Sequence, residues 1–507
     1  MLLAKAVSAG LTGIEARIVD IEVDIVRGLP GFTIVGLPDS TIRESRERIR
    51  SAVENSGFEF PPKNFVVNLA PAGFKKEGSA FDLAIAVCIL VATGQFAAPG
   101  KAVPVIGELS LDGSVKPVRG AISMAIALYR SGFREIILPR ENRQEAAAIK
   151  GIDVYPVTSI EETLAAMRGN ITPFRGEKTK EHKRGTVCGD FADVRGQETA
   201  KRGLEIAAAG HHNILLYGPP GSGKTMLARR ITSILPPLSQ DEAIETTMIH
   251  SAGGTLAPGQ GLLDAPPFRA PHHTSSDISL VGGGKYPSVG EISLAHNGVL
   301  FMDEFVEFNT RVIQALRQPL EDREITVARA AGSHVFPADF MLVAASNPCR
   351  CGYLFDEEIR CTCPPHSVKN YFKKISGPVL DRIDIEIPLN RVPYRDIMAD
   401  RGPRSSEQVR ARVIQAREIQ KKRFEGTAVR YNTRMGQPEI REHCRLDPRC
   451  ENILETAMNR MSLSARSFFK IIRVSRTIAD LESSGTIQAK HLLEALSYKN
   501  LQRNYEL

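Results

Sequence analysis

Two periods alternate in the apolar pattern of the first 170 residues. Short runs rich in β-branched and aromatic side chains predict strands, whereas apolar residues spaced three or four apart predict helices. Asp39 or Ser40 would cap the first helix. We therefore expect a mixed α/β domain here. Its predicted strands cover residues 14–25, 32–35 and 65–69, and its predicted helices cover residues 40–55 and a stretch beginning at 81.

Residues 171–190 are polar and charged and contain few large apolar side chains, so we assign them to a linker. Apolar strand patterns return at 213–217 and 340–346, with a helical pattern at 198–208 before the first of them. These elements predict an α/β domain over residues 191–395.

Helical periodicity dominates residues 405–507. In the first helix, 406–424, Val409, Val413 and Ala416 form an apolar stripe that either Ile419 or Gln420 extends. Arginines occupy the other positions, so this helix could contact DNA, but a charged lid helix is the preferred interpretation. Further helices are predicted at 450–461, 464–482 and 488–498.

The composition sets limits on the class of protein. A length of 507 residues fits several domains, and a net charge of +7 permits a nucleic-acid partner without requiring one. No run of eighteen apolar residues occurs, and the N-terminus lacks a secretory signal, so we expect a cytoplasmic protein without a membrane partner. Eight cysteines in such a chain suggest thiols or metal ligands rather than disulfides.

A glycine-rich loop joins the strand at 213–217 to a helical pattern, in the order that a phosphate-binding loop requires. Its backbone N–H groups and the helix N-terminus would attract phosphate oxygens. Lys224 would reach the β- and γ-phosphates of ATP, and the Thr225 hydroxyl would ligate Mg²⁺. The loop consists of Gly218, Pro219, Pro220, Gly221, Ser222, Gly223, Lys224 and Thr225.

A second nucleotide motif follows at residues 298–304, where an apolar strand ends in two acids. Asp303 would hold Mg²⁺, and Glu304 would polarise the attacking water. A buried strand followed by an ordinary acidic turn is the alternative interpretation.

The segment from Asp193 onward resembles an AAA+ ATPase module. In that family, an Asn after the next strand helps to position water, and Asn347 stands there, although Asn also favours turns. The resemblance gives Arg382 the role of a finger that reaches the neighbouring subunit's nucleotide. A local salt bridge with Asp381 or Asp384 is the alternative for Arg382. Arg466 matches the arginine that reaches the nucleotide from the lid, with Arg473 as a weaker candidate.

Two inserts are typical of the magnesium chelatase and MCM helicase branch of that family. One precedes Asp303 and contains Phe268-Arg-Ala-Pro-His-His-Thr and a glycine cluster that suits a projecting loop. The other, at 318–336, is interpreted as a β-hairpin. The resemblance implies that both face a central pore, where basic side chains would touch phosphates; ordinary solvated loop charge is the alternative. The side chains concerned are Lys285, Arg323, Arg329 and His334.

Half of the cysteines fall within fifteen residues, as two Cys-x-Cys pairs at Cys349, Cys351, Cys361 and Cys363. Two close pairs joined by a short loop could supply four thiolates to Zn²⁺. Unligated thiols are the alternative, and His366 could replace one ligand. The possible zinc insert spans residues 349–366.

Residues 68–82 and 107–120 resemble the proteolytic domain of Lon proteases. Active members need a serine and a lysine, but the aligned positions hold Ala80 and Ile122. Ser79 is one place away from the serine position, and without its lysine base it lacks an activating partner. The resemblance therefore implies a Lon-like fold that has lost proteolysis.

Taken in this order, the motifs resemble the YifB/ComM family of magnesium-chelatase-like AAA+ proteins over the whole chain. That resemblance implies a homohexameric ATPase acting on single-stranded or branched DNA, specifically a branch-migration helicase that helps to integrate transforming DNA. Two other functions stay open, namely a motor subunit for insertion of Mg²⁺ into a porphyrin and an ATP-dependent protease.

Overall fold

The fold was obtained as a computed structural model of the 507-residue chain. It describes residues 3–98, 100–176, 189–283, 288–329, 332–356, 358–374, 377–393, 405–461 and 463–499. Most of the predicted linker, the insert residue Lys285 and the last eight residues lie outside these ranges.

Four strands form the N-terminal sheet in the order β1-β2-β4-β3, with β3 and β4 parallel and the other two pairs antiparallel. Along β2, Val19, Ile21 and Val23 alternate with exposed or half-buried residues, so one face of the sheet packs on the core. The predicted strands are confirmed, each within two residues of its expected bounds. The strands are β1 (Ala4–Thr12), β2 (Glu15–Val26), β3 (Gly31–Val35) and β4 (Asn64–Ala70).

Two long helices cover this sheet. The backbone N–H of Ile42 donates to Asp39 Oδ1 at 2.8 Å, so Asp39 rather than Ser40 caps the first helix. The second helix is apolar on all sides and lies buried against the sheet. The elements of the unit that accompany the sheet are α1 (Ser40–Asn55), α2 (Asp82–Ala92), β5 (Glu108–Leu109), β6 (Val115–Lys116), α3 (Ala121–Arg130), β7 (Glu135–Pro139), α4 (Arg143–Ala147), β8 (Asp153–Val157) and α5 (Ile160–Met167).

A five-stranded parallel sheet, in the order β10-β13-β16-β9-β17, forms the second unit. Its central strands are buried on both faces, which explains their continuously apolar sequences. The framework elements are α6 (Glu198–Gly210), β9 (Ile214–Tyr217), α7 (Lys224–Ile234), β10 (Phe268–Arg269), β13 (Val299–Met302), β16 (Met341–Ser346) and β17 (Ile385–Pro388).

The inserts extend from this framework. The hairpin is confirmed from residue 324 onward, with Ile325 opposite Phe336, but its predicted start at 318–322 is wrong. Those residues are helical, because Pro319 is tolerated in the first turn of a helix. The insert elements are α8 (Gln240–Ala252), α9 (Asp277–Val281), β11 (Gly282–Gly283), β12 (Ser288–Val289), α10 (Glu291–Leu294), α11 (Thr310–Ala315), α12 (Arg317–Asp322), β14 (Glu324–Arg329) and β15 (Gly332–Pro337).

Helices make up the remaining regular structure. In the helix from Ser406, Val409, Val413 and Ala416 are buried, and Gln420 rather than Ile419 completes the stripe. The Gln420 side chain donates to Ala209 O at 3.0 Å, which joins this helix to α6. The helices are α13 (Pro365–Lys373), α14 (Gly377–Leu380), α15 (Ser406–Arg423), α16 (Gln437–His443), α17 (Pro448–Met461), α18 (Ala465–Leu481) and α19 (Ala489–Ser497).

Buried polar contacts connect the two α/β units. The N–H of Gly120 donates to Ser251 Oγ at 2.9 Å, and that hydroxyl donates to Glu145 Oε2 at 2.6 Å. Burial raises the pKa of Glu145, which hydrogen bonds from Ser251 and Asn142 oppose. None of the helices in the described ranges combines the length and apolar character needed to cross a bilayer.

Candidate nucleotide site

The phosphate loop lies where β9 ends and α7 begins. Gly221 and Gly223 have φ values of 78° and 87°, a region in which other residues are strained. A Cβ on Gly218 would lie 2.2 Å from Leu389 O, so glycine is needed there for close packing. Within α7, which is described throughout, no side chain caps the N-terminus and no acid lies in the first turn. These features fit a bound anion.

Lys224 points back into this loop. Its Nζ donates to Gly218 O at 2.8 Å, to Pro219 O at 2.9 Å and to Asn347 Oδ1 at 3.1 Å. Burial lowers the pKa of Lys224 to about 8, although the charges of Asp303 and Glu304 oppose the shift. An anionic ligand beside Nζ would stabilise the charged form of Lys224 and so offset the effect of burial.

Thr225 and Asp303 come together from two different elements. The Thr225 hydroxyl donates to Asp303 Oδ2 at 2.7 Å, across the gap between α7 and the end of β13. A hydroxyl beside a carboxylate is an oxygen donor set that suits Mg²⁺. The structure therefore brings one residue of each motif into contact.

Glu304 occupies a left-handed backbone conformation with φ of 51°, just before a 3-10 helix at Phe305–Glu307. Its carboxylate Oε2 lies 3.1 Å from Nδ1 of His273, which belongs to the insert before Asp303. His273 belongs to the Phe268-Arg-Ala-Pro-His-His-Thr motif, and the sequence alone predicts no role for it. Two adjacent histidines in an insert of an ATPase were the only signal that could have marked it.

The structure places Arg382 and Arg466 together, but away from the phosphate loop. Both side chains contact the carboxylate of Glu321, and hydrogen bonds from Arg382 and then Arg466 lower its pKa to about 2. The carbonyl of Arg382 accepts from the Asn213 side chain, at the start of β9. The loop follows the opposite end of that strand, roughly 13 Å away at the usual rise per residue. Glu321, which joins the two arginines, was missed in the sequence.

The four clustered cysteines also converge. Their sulfur atoms all lie within 4.8 Å of one another and could hold a metal ion. His366 is exposed on α13 and is not part of this group, so the alternative in which it replaces a cysteine is not supported.

The positions aligned with the Lon dyad are packed rather than open. Ala80 is 7% exposed and Ile122 is fully buried. Ser79 donates a hydrogen bond to Glu108 rather than to a lysine. Lys76 is buried and donates to Pro71 O.

Three family models cover most of the chain. Residues 190–397 match the family described as "Magnesium chelatase, subunit ChlI", residues 21–142 match "Subunit ChlI of Mg-chelatase", and residues 403–499 match "Magnesium chelatase, subunit ChlI C-terminal". "Competence protein ComM" of Haemophilus influenzae is 42% identical over 99% of this chain and 98% of its own length. The chain belongs to the YifB/ComM family. "Uncharacterized protein YifB" of Salmonella typhimurium is equally similar, at 42% identity over 99% of this chain and 98% of its own length.

Membership of this magnesium-chelatase-like family indicates an AAA+-type ATPase that uses ATP and Mg²⁺. A partial similarity extends beyond the family. "Lon protease 2" of Bacillus subtilis is 28% identical over 31% of this chain and 32% of its own length. This similarity agrees with a partial resemblance of the chain to Lon proteases.

Proposed function

We propose that this YifB/ComM protein is an ATP-driven DNA motor that works as a ring of six copies and migrates branched DNA during integration of transforming DNA. The observation that carries the proposal is the phosphate loop, where Lys224 donates to Asn347 and Thr225 donates to Asp303. The name of the ComM relative supports a role in competence.

Each side chain of the site would have one task. Lys224 would exchange the carbonyls of Gly218 and Pro219 for phosphate oxygens. Thr225 and Asp303 would hold Mg²⁺, which supplies positive charge against the phosphates when it is bound. Glu304 would accept a proton from the attacking water, and Asn347 would orient that water.

The position of the two arginines supports catalysis between subunits. The backbone carbonyl of Arg382 lies beside the start of β9, whereas the phosphate loop of the same chain follows the other end of that strand. In a closed ring, a surface on one side of each copy meets a different surface of the next copy. We assign Arg382 and Arg466 to the side that faces the neighbour's ATP, and we propose Glu321 as the group that holds them there.

The DNA contact would come from the inserts and from the basic charge of the chain. Among the four side chains expected in a pore, Lys285 and the side chain of Arg329 lie outside the described part of the structure, whereas Arg323 and His334 lie against other parts of the chain. Burial lowers the pKa of Arg323 to about 10, with Arg434 and Asp339 close by, and a Cβ on Gly13 would lie 3.3 Å from His334. The proposed DNA contact therefore rests on the rest of the insert surface.

Hydrolysis of ATP by the full-length protein, measured with and without branched DNA, tests the proposal. We expect branched DNA to stimulate hydrolysis and three-strand joint molecules to be extended. The variant Glu304→Gln, which should bind ATP without hydrolysing it, is the control. If DNA changes neither the rate nor the joint molecules, the motor proposal is wrong.

A metal-insertion motor is the second candidate, because all three family models are described by magnesium chelatase subunits. In that case the ATPase rate should respond to a porphyrin-bound partner and not to DNA. For the Lon-like unit, we propose that proteolysis is lost. Peptidase activity that disappears in Ser79→Ala would contradict this.

A further inference from the structure

The four cysteine sulfurs surround a common point at the end of β16. Cys349 Sγ lies 3.3 Å from Cys351 Sγ and 3.7 Å from Cys361 Sγ, and the last two are 3.4 Å apart. Cys363 completes the group within 4.8 Å of the others. Cys349 is buried, and the other three are half-buried.

These separations match one tetrahedral ion. With Zn–S bonds of about 2.3 Å, tetrahedral geometry places the sulfurs about 3.8 Å apart. An iron–sulfur cluster would separate its cysteines further, because several metal atoms and sulfides lie between them. The set of four thiolates therefore fits a single soft divalent cation, of which zinc is the commonest in closed structural sites.

Backbone groups around the sulfurs resemble the outer support of a metal site. The N–H of Cys363 donates to Cys361 Sγ at 3.4 Å. Such hydrogen bonds stabilise thiolates and orient them toward a cation. The N–H of Gly352 donates to Cys349 O at 3.0 Å, which closes the turn between the first pair.

The cysteine loop, residues 349–363, touches the rim of the nucleotide site at two points. Gly352 has φ of 87°, and a Cβ there would lie 2.6 Å from Cδ of Pro220 in the phosphate loop. On another side, Asp356 forms a 3.0 Å ion pair with Arg391, which follows β17. The loop therefore packs between the phosphate loop and the segment after β17.

The same loop begins two residues after Asn347, whose Oδ1 accepts from Lys224 at 3.1 Å. Between β16 and α13, the described residues contain neither helix nor strand, and residue 357 lies outside the described part. Stretches of this length without regular structure need another source of order.

We propose that Cys349, Cys351, Cys361 and Cys363 bind one zinc ion, and that the metal-bound loop fixes Asn347 and the phosphate loop in their working positions. Asn347, Pro220 and the cysteines then form one rigid rim. The first half of the proposal concerns metal binding alone. The second half rests on the proposed ATP hydrolysis.

Metal analysis of the full-length protein, purified under reducing conditions, tests the first half. We expect one zinc ion per chain, lost in Cys351→Ser and Cys361→Ser and kept in Cys444→Ala, whose thiol is buried elsewhere. Exchange of zinc for Co²⁺ in the wild-type protein should give the absorption of a tetrahedral tetrathiolate. Well under one metal ion per chain, or a cobalt spectrum without thiolate charge transfer, would overturn the site.

Kinetics test the second half. Removal of zinc by a chelator should lower kcat for ATP hydrolysis at least tenfold with little change in KM, and added zinc should restore it. Asn347→Ala should show the same pattern, and zinc removal from that variant should cost clearly less activity than zinc removal from the wild type, since part of both effects passes through Asn347. A protein that loses its zinc and keeps its kcat would overturn the bracing role, whereas inactivity of the zinc-loaded wild type would count against the proposed ATPase instead.

Discussion

The imidazole Nδ1 of His273 lies 3.1 Å from the Oε2 atom of Glu304. The pair joins the insert before Asp303 to the acid proposed as the base for ATP hydrolysis. Both side chains are partly exposed, at 33% and 54%, so neither is held by burial alone. While the contact persists, one oxygen of the proposed base is engaged by the insert. Movement of the insert would therefore change how readily Glu304 accepts a proton from water.

We expect His273→Ala to raise ATP hydrolysis in the absence of DNA by about threefold or more, because a carboxylate released from a hydrogen bond is freer to accept a proton from water. Stimulation by DNA should shrink accordingly. The comparison variant is His272→Ala, since His272 contacts Thr274 and the ring of His273, whereas the observed contact with Glu304 belongs to His273. If His273→Ala instead lowers the rate of ATP hydrolysis equally with and without DNA, His273 holds Glu304 in its productive orientation.

Affinity for ATP should fall as the pH rises through the pKa of Lys224, which burial lowers to about 8. Phosphate oxygens favour the ammonium form, so ATP binding raises this pKa and takes up a proton. The Kd should thus be lowest below pH 8 and should rise by up to about tenfold per pH unit above it.

Titration with a fluorescent ATP analogue between about pH 7.5 and pH 9.5 measures this dependence. The variant Lys224→Arg is the control, because a guanidinium stays charged over this range and its affinity should vary little with pH. A wild-type Kd that is constant across the range would contradict the assignment of Lys224 to the phosphates.

The local signals in the sequence were sufficient where one short segment decides the structure. The phosphate loop needs only its glycines and the flanking strand and helix, and Asp39 caps a helix that starts at the next residue. The cysteines are also close in sequence, so their convergence was predictable. The choice between Ile419 and Gln420 was not predictable, because Gln420 is buried where its side-chain amide donates to Ala209 O on another helix.

Pairs of residues that are far apart in the sequence were not predictable, because no single short segment decides their contact. Glu321 meets Arg382 and Arg466 across 61 and 145 residues, and nothing in either segment identifies the other. The contact of His273 with Glu304 likewise depends on how the insert folds back over the sheet. Such pairs arise from tertiary packing, which single-sequence patterns do not contain.

Mixed rings should reveal whether Arg382 acts on the neighbour's ATP. Arg382→Ala alone should bind ATP but lose hydrolysis, and Glu304→Gln alone should do the same. When the two variants are mixed, about a quarter of the interfaces in randomly assembled rings pair an intact Glu304 with an intact Arg382. We therefore expect the mixture to hydrolyse ATP although neither variant does. No recovery in the mixture, in rings shown to exchange subunits, would argue that Arg382 acts within its own chain or only on structure.

Stability at mildly acidic pH should depend on His211. This residue ends α6 with φ of 57°, stacks on Tyr431 and lies 3.5 Å from Asp339. Burial lowers its pKa to about 4, helped by Arg434 and Arg417 and opposed by Asp339. Since the unfolded chain binds this proton near pH 6.5, the neutral histidine contributes stability above that pH. This contribution to the free energy of unfolding is lost as the pH falls from 6.5 toward 4. The difference between the two pKa values makes it about 3 kcal/mol.

Urea unfolding at pH 7.5 and at about pH 5 measures the free energy of unfolding at each pH. The decrease in this free energy between the two pH values should be smaller for His211→Asn than for the wild type. Asparagine tolerates the left-handed backbone, so the substitution removes the titrating group without straining the end of the helix. Burial also lowers the pKa of His250 and His491, but both remain in the variant and cancel in the comparison. Equal acid losses in the two proteins would mean that His211 is already protonated in the folded state.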